Sequence, residues 1–168
     1  MLDGTTGLPL AESAVLGSWV SRSTCMAVEA DGTAGQEILC FLNESAPPAT
    51  LQRRMFLMDY SVGVLTESWS VTLAPDAGGD IRYVDPVVDL DGNGTLEIAV
   101  SSRAAGVWST GIYQLSDGAE LVTQSGEITG GSAALGAGGT QLLVTAAGTA
   151  LHIWQFADTP SPSLTQLW

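Results

Sequence analysis

Val88-Asp89-Leu90-Asp91-Gly92-Asn93-Gly94-Thr95-Leu96-Glu97-Ile98-Ala99-Val100 is the stretch on which the reading of this chain turns. Its second half is apolar and β-branched, as a half-buried or buried strand requires. Its first half sets oxygen-bearing side chains at alternate positions around two glycines. Hard cations such as calcium take roughly six to eight oxygen ligands at about 2.3–2.6 Å, and a tight loop supplies them from alternate residues. Asp89, Asp91 and Asn93 stand at loop positions one, three and five. Gly94 at position six permits the sharp backbone reversal that a Cβ would strain. Thr95 would lend its main-chain carbonyl at position seven, and Glu97 its carboxylate at position nine. The expected metal ligands are therefore Asp89, Asp91, Asn93, Thr95 and Glu97. Magnesium is disfavoured, because it dehydrates reluctantly and rarely uses an all-protein cage. The competing reading is a plain hairpin turn, which Asp-Gly and Asn-Gly favour. Three carboxylates within nine residues would then repel one another without compensation.

Working outward, the stretch repeats. Val28-Glu29-Ala30-Asp31-Gly32 and Glu37-Ile38 align without gaps on Val88-Asp89-Leu90-Asp91-Gly92 and Glu97-Ile98, an offset of 60 residues. A weaker third copy follows, in which Gly139-Thr140 and Leu143 match Gly94-Thr95 and Ile98. In the first copy Glu29, Asp31, Thr33 and Glu37 keep some oxygens, but Ala34 stands where Gly94 turns the loop. The third copy has lost its acids, with Ala134, Gly136 and Leu142 at the ligand positions. Between the copies a second signature recurs. Leu65-Thr66-Glu67, Val122-Thr123-Gln124 and Leu164-Thr165-Gln166 each follow an aromatic strand: Phe56-Leu57-Met58, Tyr113-Gln114-Leu115 and Trp154-Gln155-Phe156. Strands are expected at 25–29, 36–42, 55–60, 68–73, 82–89, 96–101, 111–115, 141–145 and 151–156. No window sustains a helical apolar stripe, so no long helix is expected. Repeats of roughly 40–50 residues, stretched by loops, are those of propeller blades. The expected fold is all-β: one propeller-like domain, 1–168, of about three four-stranded antiparallel blades. The approximate repeats are 2–60, 61–117 and 118–158, with 159–168 beginning a further blade. On this reading the chain starts and stops in mid-repeat, and further blades, further copies or partners complete it.

The Asp89–Glu97 segment is not an EF-hand. Position twelve is Val100 in place of the bidentate glutamate, and β-rich runs flank it instead of helices. It resembles the calcium loop of FG-GAP/VCBS repeats, the integrin-α-type β-propeller family. That loop runs Asp-x-Asp/Asn-x-Asp/Asn-Gly-x-x-Asp between two strands and leads into an apolar strand, here Leu96 and Ile98-Ala99-Val100. Asn93 at position five and Glu97 in place of the last aspartate are this chain's departures. The resemblance covers one strong loop and one or two degenerate copies. It implies a Ca2+ cofactor and a role in adhesion, protein interaction or assembly, with the chain outside the cytosol: extracellular, periplasmic or in the secretory lumen. The accessory propeller portion of a larger secreted enzyme and a glycan-binding propeller are the alternatives.

Composition bounds these readings. The chain has 168 residues, enough for one sizeable core. A hydrophobic fraction of 45% and a mean hydropathy of +0.25 exclude a disordered chain. The 20 glycines and 7 prolines are spread along the sequence, as many short strands joined by turns require. Eighteen acidic residues face five arginines and no lysine, a net charge of −13. Nucleic-acid phosphates and anionic membrane surfaces would both be repelled. Residues 1–10 lack a basic region and an apolar core, so no signal peptide is expected. The stretch 130–155 carries no formal charge if His152 is neutral, but its glycine pairs and threonines break it into two β-like runs, and no membrane span is expected.

No catalytic constellation stands out, and the chain is not expected to be an enzyme. There is no Gly-x-Ser-x-Gly elbow, no phosphate-cradling loop and no His-Glu-x-x-His. His152, the one histidine, reads as a packed or surface strand residue. Nothing marks Asp76 and Asp80 as a glycosidase pair. Trp19, Trp69, Trp108, Trp154 and Trp168 read as core packing, with a sugar-binding face as the alternative. Arg53-Arg54 reads as a solvated loop edge. Cys25 and Cys40 lie equidistant from the expected turn at 31–35, so a cross-strand disulfide and two buried thiols are both open.

Overall fold

The runs rich in apolar, β-branched and aromatic residues become strands. A computed structural model describes residues 5–6, 20–30, 32, 37–46, 50–61, 63–74, 80–83, 89–128, 134–135, 141–147 and 149–168. Among the described residues every regular element is a β-strand, and the strands make three antiparallel sheets. The all-β expectation therefore holds. The chain falls into two compact units, Met1–Ala77 and Gly78–Trp168. No helix among the described residues is long and apolar enough to cross a membrane.

The first unit holds β1 (Val20–Val28), β2 (Glu37–Ala46), β3 (Thr50–Ser61) and β4 (Val64–Ala74), hydrogen-bonded in that order. Its two central strands are buried on both faces. Leu39, Cys40, Phe41 and Leu42 of β2, and Met55, Phe56, Leu57 and Met58 of β3, are each at most 5% exposed. Strand alternation sends Cys40, Leu42, Phe56 and Met58 to one face, where they form a cluster with Ile38 and Leu65 at its margin. Leu39, Phe41, Met55 and Leu57 turn to the other. Each large side chain so buried contributes about 1.5–3 kcal/mol. Cys25 lies directly opposite Cys40, with 4.1 Å between Cα atoms, and the two are joined as a disulfide.

Arg53 and Arg54 correct the solvated-edge reading, because both lie within β3. Arg53 is 7% exposed. Arg54 bonds Glu67 Oε2 of β4 at 3.0 Å and lies 4.9 Å from the centre of the Phe56 ring. Long aliphatic stems let arginine cover apolar strand surface while its head finds a carboxylate or a ring face.

The second unit holds two sheets. The first contains β5 (Asp80–Tyr83), β6 (Glu97–Ala104), β7 (Val107–Gln114) and β8 (Glu120–Ser125) in sequential order. The second contains β9 (Glu127–Ile128), β10 (Ala134–Leu135), β11 (Gln141–Ala147), β12 (Ala150–Ala157) and β13 (Ser163–Gln166). Its order is β10-β11-β12-β13, and β9 and β10 share the free edge of β11. Leu90, Ala99 and Ile112 pack with Leu143, Trp154 and Phe156 in one buried cluster spanning both sheets.

Buried hydroxyls and the core indole of this unit are paired. Ser101 Oγ lies 2.6 Å from Thr110 Oγ1, which donates to the Gly126 carbonyl at 2.8 Å, so the serine supplies the proton between them. Trp154 Nε1 donates to Thr145 Oγ1 at 2.8 Å. Gly126 carries the chain from β8 into β9 at φ +121°, with the Ala146 carbonyl 3.3 Å from where a Cβ would stand. A side chain there would be both strained and crowded.

The two signatures occupy matching places in the three sheets. The aromatic runs begin or end on the third strand of each: β3, β7 and β12. Leu65-Thr66-Glu67, Val122-Thr123-Gln124 and Leu164-Thr165-Gln166 lie on the outermost: β4, β8 and β13. The sheets run one strand later than the units 2–60, 61–117 and 118–158. Residues 159–168 do not begin a new sheet. β13 pairs with β12 from Trp154↔Gln166 to Ala157↔Ser163, so they complete the third. The expected strand at 82–89 is also corrected. β5 ends at Tyr83, residues 84–88 lie outside the described residues, and Asp89 belongs to a loop.

Candidate metal centre

The loop between β5 and β6 is shaped by its own side chains. Asp89 Oδ1 accepts from the main-chain N–H groups of Gly92 at 2.7 Å and Asn93 at 3.1 Å, and Oδ2 accepts from Gly94 at 2.8 Å. Asp91 Oδ1 accepts from Asn93 N–H at 3.1 Å. These bonds wrap the chain around the carboxylates. Gly92 at φ +83° and Gly94 at φ +94° allow the reversal. A Cβ at either would meet no atom, so the requirement is conformational and not steric.

The loop brings three of the expected ligands together. Carboxylate oxygens of Asp89, Asp91 and Glu97 lie within 4.8 Å of one another. Oxygens on one calcium ion at about 2.3–2.6 Å are at most about 4.6–5.2 Å apart, so the cluster fits inside one coordination sphere. A carboxylate offers about four lone pairs. Hydrogen bonds occupy three on Asp89 and two on Asp91, which leaves capacity for a cation on each.

Glu97 is the buried member, 1% exposed at the start of β6. Its Oε2 accepts from Leu90 N–H at 2.8 Å and its Oε1 lies 2.8 Å from Thr95 Oγ1. Burial raises its pKa above the usual carboxylate range, helped by Asp91 and Asp89 and opposed by the Leu90 and Thr95 bonds. Asn93 Oδ1 accepts from Thr95 N–H at 2.7 Å and also meets the Thr95 hydroxyl. That hydroxyl has one proton for two oxygens, Asn93 Oδ1 and Glu97 Oε1. The cluster is thus short of positive charge, and a divalent cation would supply it. Asn93 is engaged through Thr95. Thr95 participates by its hydroxyl, a role the spacing argument did not assign.

Two participants were not legible beforehand. Leu90 N–H holds Glu97, and Asp158 N–H donates to Asp91 Oδ2 at 2.9 Å from 67 residues further along the chain. A main-chain donor at that distance leaves no sequence signal. The first repeat keeps part of the arrangement. Ala30 N–H donates to Glu37 Oε2 at 2.7 Å, the same bond 60 residues earlier, and Glu37 is 4% exposed. Gly32 has φ +73°, matching Gly92. Glu29 is exposed, and Asp31, Thr33 and Ala34 lie outside the described residues.

The remaining candidates are placed as follows. His152 Nδ1 lies 2.9 Å from Gln166 Nε2 across β12 and β13. Trp154 is in the core, Trp69 and Trp108 are half-buried, and Trp168 is 70% exposed. Trp19 and Asp76 lie outside the described residues. Comparisons with protein-family models, with curated proteins and with solved structures each find no match.

Proposed function

We propose that this chain is a calcium-binding β-propeller segment of the FG-GAP/VCBS type, a non-catalytic module for protein interaction, adhesion or structural assembly outside the cytosol. The observation that carries the reading is the convergence of Asp89, Asp91 and Glu97, one of them buried, in a loop opening onto an apolar strand. Bound calcium would neutralise the mutual repulsion of the three carboxylates and pin the loop, a structural task. Three antiparallel sheets of similar strand order, two of them with central strands buried on both faces, suit propeller blades. Three is fewer than the four to eight of closed propellers, so further blades or a protein partner belong to the proposal. The Cys25–Cys40 disulfide supports an oxidising compartment.

The test is a calcium titration of thermal unfolding. Affinity in the range of extracellular modules, about 10⁻⁴–10⁻³ M, is expected. At ten to a hundred times the Kd this adds about 1.4–2.7 kcal/mol, or roughly 3–10 °C in Tm for a chain of this size. Asp91→Ala should abolish the shift. An unchanged Tm in the parent protein at about 10 mM calcium, at least ten times the expected Kd, would remove the ion from the account.

A further inference from the structure

We infer that the Asp89–Glu97 loop is a latch that couples the two sheets of the second unit, so that disorder in the loop is transmitted to β12 and β13. The ion reading above is not needed for this, although an ion bound there would act through it.

Three observations converge. The Leu90 side chain, 3% exposed, is part of the cluster that joins Ala99 and Ile112 of one sheet to Leu143, Trp154 and Phe156 of the other. Leu90 N–H is held by the buried Glu97 carboxylate, so the residue that fills the junction is tied to the first residue of β6. The next residue, Asp91, uses one carboxylate oxygen inside the loop and the other to accept from Asp158 N–H, just beyond β12. Leu90 and Asp91 are thus linked to the third sheet, the one through a shared apolar cluster and the other by a charge-assisted hydrogen bond. Opening the loop withdraws both together, because adjacent residues on a tight turn do not move independently. Coupling of this kind is reciprocal: loosening the segment after β12 must loosen the loop.

Amide hydrogen exchange on the full chain tests it. In the unmodified protein the Leu90 and Asp158 amides should open with the same free energy and the same denaturant dependence, as members of one cooperative unit. Asp91→Ala removes the acceptor. It should speed exchange at Asp158 and through 159–166 by about tenfold or more, the scale of a lost hydrogen bond to a charged group. Asp158→Ala keeps the N–H and should leave the loop amides unchanged. Different opening energies at Leu90 and Asp158, or an Asp91→Ala effect confined to 92–95, would overturn the latch. A calcium arm separates the two ideas. Calcium protection of 92–95 without 157–166 sinks the coupling and leaves the ion. Wild-type amides that open together but ignore calcium sink the ion and leave the coupling.

Discussion

At Ala105 the chain pays for a tight turn with an uncomfortable residue. Ala104 pairs with Val107, leaving Ala105 and Gly106 as a two-residue loop, both at positive φ, +49° and +80°. That is the type I′ geometry, which suits Asn-Gly and strains alanine. Ala105→Asn should stabilise the protein by about 0.5–1 kcal/mol, read as a higher urea midpoint at unchanged m-value. Tyr113 carries the clearest pH dependence. Its hydroxyl donates to Glu120 Oε2 at 2.8 Å, and burial, reinforced by that carboxylate, raises its pKa well above the ordinary tyrosine value. The folded state therefore holds the proton after the unfolded chain has lost it. The contribution is complete below the unfolded pKa of about 10 and declines as pH rises beyond it. Tyr113→Phe should be less stable than the parent at neutral pH, and the gap should narrow between about pH 9 and about pH 11.5 in denaturant titrations. A gap that widens with alkalinity would contradict the assignment.

At the scale of elements, the central strands differ from the edges in what they bury. Among the described residues, β2, β3, β6 and β7 hold most of the side chains below 5% exposure and β11 and β12 hold three more, while β8 and β13 are exposed or half-buried throughout. The Cys25–Cys40 bridge ties the edge strand β1 to this interior, with Cys25 exposed and Cys40 buried. It closes a loop of 15 residues in sequence separation, for which chain entropy estimates about 3 kcal/mol. Replacing both cysteines by serine should lower unfolding free energy by about that amount, measured in urea without reductant. Adding reductant to the parent should reproduce the loss, and no loss in either would mean that β1 is held by its ladder alone.

At the scale of the whole molecule, charge is the dominant feature. Eighteen acids against five arginines give a net charge of −13, and self-repulsion of this kind destabilises a compact chain. Raising monovalent salt from about 10 mM to about 150 mM shortens the screening length from roughly 30 Å to roughly 8 Å. Tm should rise over that interval with EDTA present, which keeps the general effect apart from calcium. A flat or falling Tm would show that the acids are spaced widely enough to ignore one another.

The sequence by itself determined the strand-only architecture, the 60-residue recurrence and the acidic loop, because each is written in local periodicity and spacing. Apolar patterning specifies a strand wherever it is strong, as in the continuous runs 38–42 and 55–58. It is faint in β8 and β13, whose polar, half-exposed residues do not need to alternate cleanly; their positions were legible only as the recurring triplets. Arg53 and Arg54 misled because charge says nothing of which faces are covered. Tertiary structure alone decided that 163–166 closes a sheet, that Cys25 and Cys40 are bonded, and that Asp91 reaches Asp158. Pairing partners, covalent closure and long-range main-chain bonds depend on which segments meet in space. No residue carries that information in its own neighbourhood.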